Sequence, residues 1–394
     1  GLALAGGGPE GAVYESGALR AIEEAVEGID LCNLDIYVGV SAGAFVAANL
    51  TNQLQPAQML RAIVAHEAQP FTVQTFFSPA IGEFVQRGLM LPVLLFRSVV
   101  DRFLQEPTAS LASLIAGLQS AVPIAMFDNE PIRRYLRAVF TRPGRTDDFR
   151  ELRRKLIVVA ADLDSGEPVR FGEPGLDHVP ISTAIQASAA LPGLYPPVRV
   201  DGRDYVDGVL LKTMHASVAL EAGADLVVCI NPIVPVDTAR AVGEGHMHFH
   251  GLRELGFTRV FSQTFRTLIH SRLSIGIAAY EERFPGRDVV LFEPQRDDYL
   301  MFFTNIFSFA ERRFVCELAY ASTRRDLLRR FDELAPVFAR HGLTLRKDVL
   351  IDTKRDIWSG AGIETHTLIE EPVTARLSRL LDRLEDLVDG GSCE

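Results

Sequence analysis

The sequence predicts a three-layer α/β/α sandwich in which a mainly parallel central sheet is covered by helices on both faces. Short apolar runs at residues 2–5 and 35–40 are each followed by a glycine-containing turn and then by helix-forming residues. Apolar runs of strand length return at residues 155–162, 225–231 and 288–293. Alternating buried strands and helices are typical of a parallel sheet with both faces covered.

The connecting segments support this assignment. Helical spacing predicts helices at residues 17–26 and 44–50, directly after the first two strands. Residues 167–171 follow a Ser-Gly turn and are predicted to pair with the third strand as a hairpin. A long helix is predicted at residues 257–284, and helical spacing resumes from residue 304 to about residue 340.

We divide the chain into a catalytic domain, residues 1–340, and a C-terminal extension, residues 341–394, which carries an amphipathic helix at residues 373–387. The domain includes a predicted helical insertion at residues 71–127, which is rich in apolar side chains and interrupted by prolines. This insertion is either a packed helical subdomain or a lid and acyl-binding wall that also touches a membrane. The apolar run at residues 300–303 supports the second interpretation, since exposed apolar patches mark interaction surfaces.

Composition excludes several classes of protein. The formal net charge of −11 disfavours a nucleic-acid partner and electrostatic adsorption to anionic lipid, so any membrane contact is expected to be hydrophobic. Four scattered cysteines predict neither a disulfide framework nor a metal site, and they favour a reducing, cytoplasmic location. The longest apolar run, residues 89–100, is too short to span a bilayer.

A candidate nucleophile stands between the second strand and its helix. Ser41 lies between Gly39 and Gly43, and Gly-x-Ser-x-Gly after a buried strand is typical of a nucleophile elbow. The turn requires small neighbours, and the following helix directs its N-terminal amides, beginning with Ala42, at the serine. The alternative is an ordinary glycine turn.

A glycine loop follows the first strand and is expected to lie beside Ser41 in a parallel sheet. The amides of this loop, together with Ala42, are predicted to form an oxyanion hole; the loop glycines are Gly6, Gly7, Gly8 and Gly11. The same spacing matches a dinucleotide-binding fingerprint. That alternative requires an acidic residue at the end of the second strand, where this chain has Gly39-Val40-Ser41.

Asp207 is the candidate base. It follows an apolar pair and precedes Gly208, which predicts a carboxylate exposed at a strand end; the alternative is an aspartate that caps the helix near Met214. His215 is expected to be a cap or a surface residue. The alternating histidines His246, His248 and His250 could form a zinc site, although no acidic or cysteine ligand is adjacent.

The glycine loop Gly6–Gly11, the GVSAG segment around Ser41, and ASAALPGLYPPV followed by VDGV resemble, in this order, the patatin-like phospholipase family. The resemblance implies a Ser/Asp dyad with Ser41 as nucleophile and Asp207 as base, and no metal or organic cofactor. Two residues depart from the family pattern: Glu10 stands where the family usually has Arg or Lys, and Val209 where it usually has Gly or Ala.

The resemblance implies a lipid acyl hydrolase of the phospholipase A or lysophospholipase type that works through an acyl-enzyme. Two alternatives are an acyl hydrolase of a thioester or storage polyester, and a non-catalytic lipid-binding protein on the same fold. The expected partner is a lipid or another acyl ester, with transient membrane contact through the apolar insertion. The sequence does not predict an oligomeric state.

Overall fold

A computed structural model of the chain describes residues 1–64, 73–82, 123–237, 252–295, 309–358 and 361–362. Most of the predicted insertion (residues 83–122), the apolar run at residues 300–303 and the predicted helix at residues 373–387 lie outside these ranges. So do His246, His248 and His250.

The described residues form twelve strands and eleven α-helices. The strands are β1 (Leu2–Leu4), β2 (Val26–Glu27), β3 (Ile36–Gly39), β4 (Ser78–Pro79), β5 (Phe127–Asp128), β6 (Lys155–Asp162), β7 (Pro168–Phe171), β8 (Val198–Val200), β9 (Arg203–Asp207), β10 (Leu226–Ile230), β11 (Asp288–Phe292) and β12 (Thr344–Leu345). The helices are α1 (Gly8–Ala25), α2 (Ala42–Thr51), α3 (Pro56–Val64), α4 (Val73–Phe76), α5 (Glu130–Phe140), α6 (Ile181–Ser188), α7 (Ala216–Glu221), α8 (Phe257–Arg283), α9 (Phe309–Arg329), α10 (Phe331–Arg340) and α11 (Lys347–Ile351).

The main sheet has the strand order β11-β10-β1-β3-β6-β9-β8, with β7 paired to β6. Strands β11, β10, β1, β3 and β6 run parallel to their neighbours, whereas β7, β9 and β8 are antiparallel additions. The predicted mainly parallel sheet and the predicted hairpin between β6 and β7 are therefore confirmed.

Two apolar layers cover the sheet. Successive residues of β1 alternate between them, since Leu4 packs with Tyr37 in one layer and Ala3 with Val38 in the other. Helices α1, α2 and α9 contribute to the first layer, and α7 and α8 to the second. This arrangement confirms the three-layer α/β/α fold.

Helix α1 begins nine residues earlier than predicted, at Gly8 instead of Gly17. Residues 11–19 of this helix are all buried, so its sequence shows no alternation between an apolar and a polar face there. Gly17 is a contact point between helices: a Cβ on this residue would lie 2.5 Å from the Cys316 carbonyl oxygen of α9. Gly17, which marked the predicted start of α1, instead allows α1 and α9 to approach each other closely.

The two ends of the insertion differ from the predicted helical pattern. Strands β4 and β5 form a short antiparallel pair that brings residues 78–79 and 127–128 together. The rings of Phe77 and Phe127 meet edge to face with centroids 4.9 Å apart. Two-residue strands have no readable period, which is why the sequence did not reveal them.

The start of the predicted C-terminal extension packs against the N-terminal part of the chain, because β12 pairs with β2. Arg324 of α9 donates a hydrogen bond to the carbonyl oxygen of Val349 in α11, at 2.6 Å. Within the described ranges, no helix combines the length and apolar character needed to cross a bilayer.

Candidate active site

Ser41 occupies a strained turn between β3 and α2. Its backbone adopts φ 53° and ψ −121°, a conformation that residues other than glycine rarely adopt. A Cβ on Gly39 would lie 2.3 Å from Ala44 Cα, and a Cβ on Gly43 would lie 2.4 Å from the Ala5 carbonyl oxygen. Both positions therefore need glycine, because the neighbouring backbone leaves no room for a Cβ atom.

Replacing Gly43 with alanine is expected to destabilise the fold by several kcal/mol, because the new methyl group would collide with the backbone of β1. Thermal unfolding followed by circular dichroism measures this loss. Gly276→Ala is the matched control, since Gly276 lies within α8 with open space around its Cβ position. That change should leave the melting temperature the same or raise it. Equal melting temperatures for the two variants would contradict the packing argument.

Asp207 ends β9 and lies beside Ser41 through sheet pairing. Asp207 is in register with Ala160 of β6, and β6 also pairs with β3, which precedes Ser41. The Ser41 hydroxyl lies close enough to the Asp207 carboxylate to lower the carboxyl pKa, and the Val209 N–H donates to Asp207 Oδ1 at 2.9 Å. A Cβ on Gly208 would lie 2.4 Å from the Val159 carbonyl oxygen, so this position also needs glycine.

The surroundings of Asp207 correct one expectation. The sequence predicted an exposed carboxylate, but Asp207 is only 3% exposed, because β9 lies inside the sheet between β6 and β8. Burial raises its pKa to about 7, although the hydrogen bond from Val209 and the neighbouring Ser41 hydroxyl oppose this shift. Asp207 caps the short 3₁₀ turn Gly208–Leu210. The helix near Met214 is α7, which begins at Ala216 with His215 at its N-cap, so the alternative in which Asp207 caps that helix was wrong.

Ser188 is a residue that sequence reasoning missed, although it lies in the segment that carried the family resemblance. It is the last residue of α6 and is fully buried. Its Oγ accepts a hydrogen bond from the Ser41 N–H at 2.8 Å and donates one to the Val159 carbonyl oxygen at 2.6 Å. Ser188 thereby holds the backbone of the strained turn, and no periodicity signals such a long-range contact.

Ser188→Ala is expected to lower kcat for ester hydrolysis by about 10- to 100-fold with KM changed less than about threefold. Without this acceptor, the Ser41 backbone can relax and its hydroxyl shifts, and a displacement of about 1 Å can cost about 100-fold in rate. Steady-state kinetics on a p-nitrophenyl ester measures both constants.

Ser182→Ala is the control for this prediction. Ser182 is a buried serine on the same helix, but its hydroxyl donates to Asp147 at 2.7 Å. Both variants lose a buried hydrogen bond, so both should lose stability, while only Ser188→Ala should lose kcat. An equal loss of kcat in the two variants would mean that Ser188 contributes only to the stability of the fold.

The glycine loop lies beside Ser41, as predicted, because β1 and β3 are parallel neighbours. A Cβ on Gly6 would approach the Ser41 Cβ to 3.3 Å. Gly7 has φ 153°, and α1 begins at Gly8, so the amides of its first turn have no acceptor within the helix. Ala42 is in the same position at the start of α2.

Gly11 differs from its predicted role. Its N–H donates to the Gly7 carbonyl oxygen at 3.0 Å, which is the first α-helical hydrogen bond of α1. A Cβ on Gly11 would lie 3.1 Å from the Pro232 ring and 3.4 Å from the Gly6 carbonyl oxygen. Gly11 therefore provides room for the loop, and its amide is already used.

Ser41 and Asp207 line a cavity of about 250 Å³. Gly7, Gly8 and Ala42 also line it, whereas Gly6 and Gly11 do not. Most of the remaining wall is apolar and is formed by Pro9, Ala12, Phe45, Phe76, Phe77, Ile132, Leu136, Ile185, Ala189, Leu191, Leu194, Val209, Ile233 and Phe265, with Tyr135, Tyr195, Ser262 and Arg266 as its other polar members. The start of the insertion thus contributes Phe76 and Phe77 to the wall.

Glu10, the residue of the glycine loop that departs from the family pattern, faces helix α8. Its Oε2 lies 3.7 Å from Arg266 Nη2, and both side chains are mostly buried. Burial raises the pKa of Glu10 to about 7, against the effect of Arg266 and Arg259. Burial likewise lowers the pKa of Arg266, and Glu10 opposes this change.

His215 occupies the N-cap position of α7 without a side-chain hydrogen bond to the helix; it is buried and does not line the cavity. Its Nε2 lies 3.3 Å from the Gly208 carbonyl oxygen, and burial lowers its pKa to about 4, so the ring is neutral at pH 7. Among the described residues, no three His, Cys, Asp or Glu side chains are grouped so that they could hold a metal ion.

An α/β/α fold that brings a serine on a strand-to-helix turn against a buried carboxylate defines the patatin-like class of hydrolase. The family model described as patatin-like phospholipase matches residues 2–220, more than half of the 394-residue chain. The chain belongs to the patatin-like phospholipase family, a family of lipid hydrolases, and the predicted resemblance is confirmed.

Two solved structures are similar to this chain. VipD from Legionella pneumophila has 15% sequence identity and a TM-score of 0.37, with 82% of this chain and 66% of VipD covered. The type III effector ExoU has 17% identity and a TM-score of 0.33, with 84% of this chain and 52% of ExoU covered. The chain thus spans just under two thirds of VipD and about half of ExoU, and at these scores the similarity carries no argument about substrate.

Proposed function

We propose that the chain hydrolyses carboxylic esters of lipids, as a phospholipase A or lysophospholipase, through an acyl-enzyme on Ser41 with Asp207 as the base. The observation that carries this proposal is that Ser41 and a buried Asp207 lie side by side at the wall of an apolar cavity, close enough for the hydroxyl to lower the pKa of the carboxyl group. A serine hydroxyl is a weak nucleophile unless a positioned base accepts its proton during attack.

In the first half-reaction, Ser41 Oγ forms a bond to the acyl carbon while its proton passes to the Asp207 carboxylate. The negative charge that develops on the carbonyl oxygen is stabilised by amides at the starts of α1 and α2, from the set Gly7, Gly8 and Ala42. Collapse of this intermediate breaks the bond to the leaving alcohol, which takes the proton from Asp207.

In the second half-reaction, a water molecule gives a proton to Asp207 and its oxygen bonds to the acyl carbon. Collapse of the resulting tetrahedral intermediate breaks the bond between Ser41 Oγ and the acyl carbon, returns the proton from Asp207 to Oγ and releases the fatty acid. The same carboxylate serves both steps, so a pKa near 7 suits its alternation between acceptor and donor.

The apolar wall suits an acyl chain. Phe76 and Phe77 come from the start of the insertion, and the Phe76 carbonyl oxygen accepts a hydrogen bond from Tyr195 at 2.7 Å. This bond fixes one end of the insertion to the wall. The proposed lid and membrane contact of the insertion fall mainly on residues 83–122, outside the described ranges, and stay predictions.

The experiment combines a covalent probe with product analysis. A fluorophosphonate should label Ser41, identified by mass spectrometry of the labelled peptide, and purified protein should release fatty acid from phospholipid in mixed micelles. Label on Ser41 with release only from thioesters or polyesters would favour an acyl hydrolase of another substrate. If Ser41 is not labelled and no fatty acid is released, the alternative of a non-catalytic lipid-binding protein is favoured.

A further inference from the structure

The cavity beside Ser41 has two walls, one from each of the apolar layers that cover the sheet. The first wall belongs to the layer of α1 and α2 and includes Phe45, Ile132, Leu136 and Ile185. The second wall belongs to the layer of α7 and α8 and includes Leu191, Val209, Ile233 and Phe265. Ser41 follows β3 and Asp207 ends β9, so both lie at the edge of the sheet between the two walls.

The two walls differ in polarity. The polar side chains of the first wall are Tyr135 and Tyr195, and the Tyr195 hydroxyl already donates a hydrogen bond to the Phe76 carbonyl oxygen. On the second wall, α8 adds Ser262 and Arg266. A fatty acyl chain has no polar group beyond its carbonyl, whereas the alcohol part of a glycerol ester carries oxygen atoms, and oxygen atoms are costly to bury against a wholly apolar surface. The first wall therefore suits the acyl chain and the second wall suits the alcohol.

Val209 brings the second wall close to the reacting groups. Val209 Cγ2 and Ser41 Cβ approach the same point, the position that a Cβ on Gly6 would take, to 3.4 Å and 3.3 Å. The Val209 N–H donates to Asp207 Oδ1 at 2.9 Å, which fixes its backbone beside the base. The side chain is 5% exposed, packs in the second layer and, being β-branched, has few alternative rotamers. Val209 is therefore held in place and cannot turn aside for a bulky substrate.

We propose that Val209 is a specificity-determining residue that limits the bulk of the alcohol next to the scissile bond, so that esters of primary alcohols are preferred to esters of secondary alcohols. This inference rests on the proposed function and deepens it. The alcohol carbon bonded to the ester oxygen carries one further carbon in a primary ester and two in a secondary ester. The second of these carbons would press against the Val209 methyl groups, and overpacking is unfavourable. In a glycerolipid the preferred esters are those of the two outer glycerol carbons.

The test compares n-propyl octanoate with isopropyl octanoate, which share one acyl chain. The readout is the ratio of kcat/KM for the two esters, measured by octanoate release and corrected for their rates of alkaline hydrolysis. The wild type should favour the n-propyl ester by about 10-fold or more, the effect of one carbon in an apolar pocket. Val209→Ala should reduce this preference to less than about threefold. Val209→Thr, which keeps the branched shape, should retain the preference.

Val218→Ala is the matched control, because Val218 is a buried valine of the same layer, on α7, that does not line the cavity. It should keep the ratio within about threefold of the wild-type value. Leu136→Ala, on the first wall, should instead raise kcat/KM for longer acyl chains relative to shorter ones. An unchanged alcohol ratio in Val209→Ala, or an equal change of that ratio in Val218→Ala or Leu136→Ala, would overturn the proposal.

A binding measurement separates this inference from the proposed function. Titration calorimetry on Ser41→Ala protein uses two ketones in which a methylene group replaces the ester oxygen of the two octanoates. The branched ketone should bind about 10-fold more weakly than the unbranched one, and adding Val209→Ala should remove this difference. This result can be obtained even if Ser41 is not labelled and no ester is cleaved. Equal Kd values for the two ketones, or binding of neither, would overturn the inference, while fluorophosphonate labelling of Ser41 tests hydrolysis separately.

Discussion

Ser41→Ala should lower kcat for ester hydrolysis by about 10⁴- to 10⁶-fold, because removing Oγ removes the covalent route and leaves only the amides and the cavity to assist water. The turn should keep its conformation in this variant, since Gly39 and Gly43 still allow the close backbone approaches to Ala44 and β1. The far-ultraviolet circular dichroism spectrum should therefore match that of the wild type.

The measurement is steady-state hydrolysis of a p-nitrophenyl ester, with fluorophosphonate labelling in parallel. Ser182→Ala, which removes a buried hydroxyl that contacts Asp147, is the control and should keep kcat within about threefold. Substantial turnover or labelling in Ser41→Ala would place the nucleophile elsewhere.

Asp207→Asn has the second large expected effect: kcat/KM should fall by about 10²- to 10⁴-fold, the contribution of general-base catalysis, since an amide cannot accept the Ser41 proton. The same variant should unfold at an equal or higher temperature at pH 8, because the wild type must bury the carboxylate charge there. Loss of activity with retained or increased stability is typical of a strained functional group.

The pH dependence of the wild type follows from the same carboxylate. As the base must be ionised, kcat/KM for an uncharged ester should fall as the pH falls through about 7. Stability changes in the opposite direction: the folded-state pKa is raised, so the contribution of Asp207 to stability is complete below about pH 4 and is lost as the pH rises through about 7. Glu10 shifts in the same direction, so the difference between wild type and Asp207→Asn isolates the contribution of Asp207.

Asp162→Asn is the control for the stability argument. Asp162 ends the neighbouring strand β6 and is also buried, but it accepts hydrogen bonds from Arg203 Nη1 at 2.8 Å and from two backbone N–H groups at 3.0 Å. These contacts hold its pKa below the ordinary value, so its charge stabilises the fold. Asp162→Asn should therefore lower the melting temperature and leave kcat within about threefold. Full activity in Asp207→Asn would mean that another group is the base.

The sequence predicted the parallel strands of the sheet well because each is a short, continuous apolar run, whereas the antiparallel strands β8 and β9 were not predicted. Strand β6 has the predicted bounds, and the predicted long helix differs from α8 by one residue at its end. The predicted start of α1 was wrong because residues 11–19 are all buried and therefore show no helical period. The strand pair β4–β5 was missed because its two segments are about 50 residues apart in the chain.

The candidate site, like the fold, combines features that could be predicted from the sequence with features that could not. Ser41 with its flanking glycines and the glycine loop could be predicted, because a tight strand-to-helix turn imposes small residues at fixed spacing. The burial of Asp207 could not, since it depends on antiparallel strand β9 entering the sheet beside β6. Ser188 and Arg266 could not be predicted either, because each reaches the site across more than a hundred residues of chain.

By itself, then, the sequence determined the parallel core of the sheet, the turn that carries Ser41 and the glycine loop beside it, because these follow from local apolar runs and from steric limits on neighbouring residues. Only the tertiary structure decided that the carboxylate beside Ser41 is buried, which serine holds the turn, and which cation lies near Glu10. Those features depend on which distant segments of the chain pack together, and a local sequence pattern carries no information about such contacts.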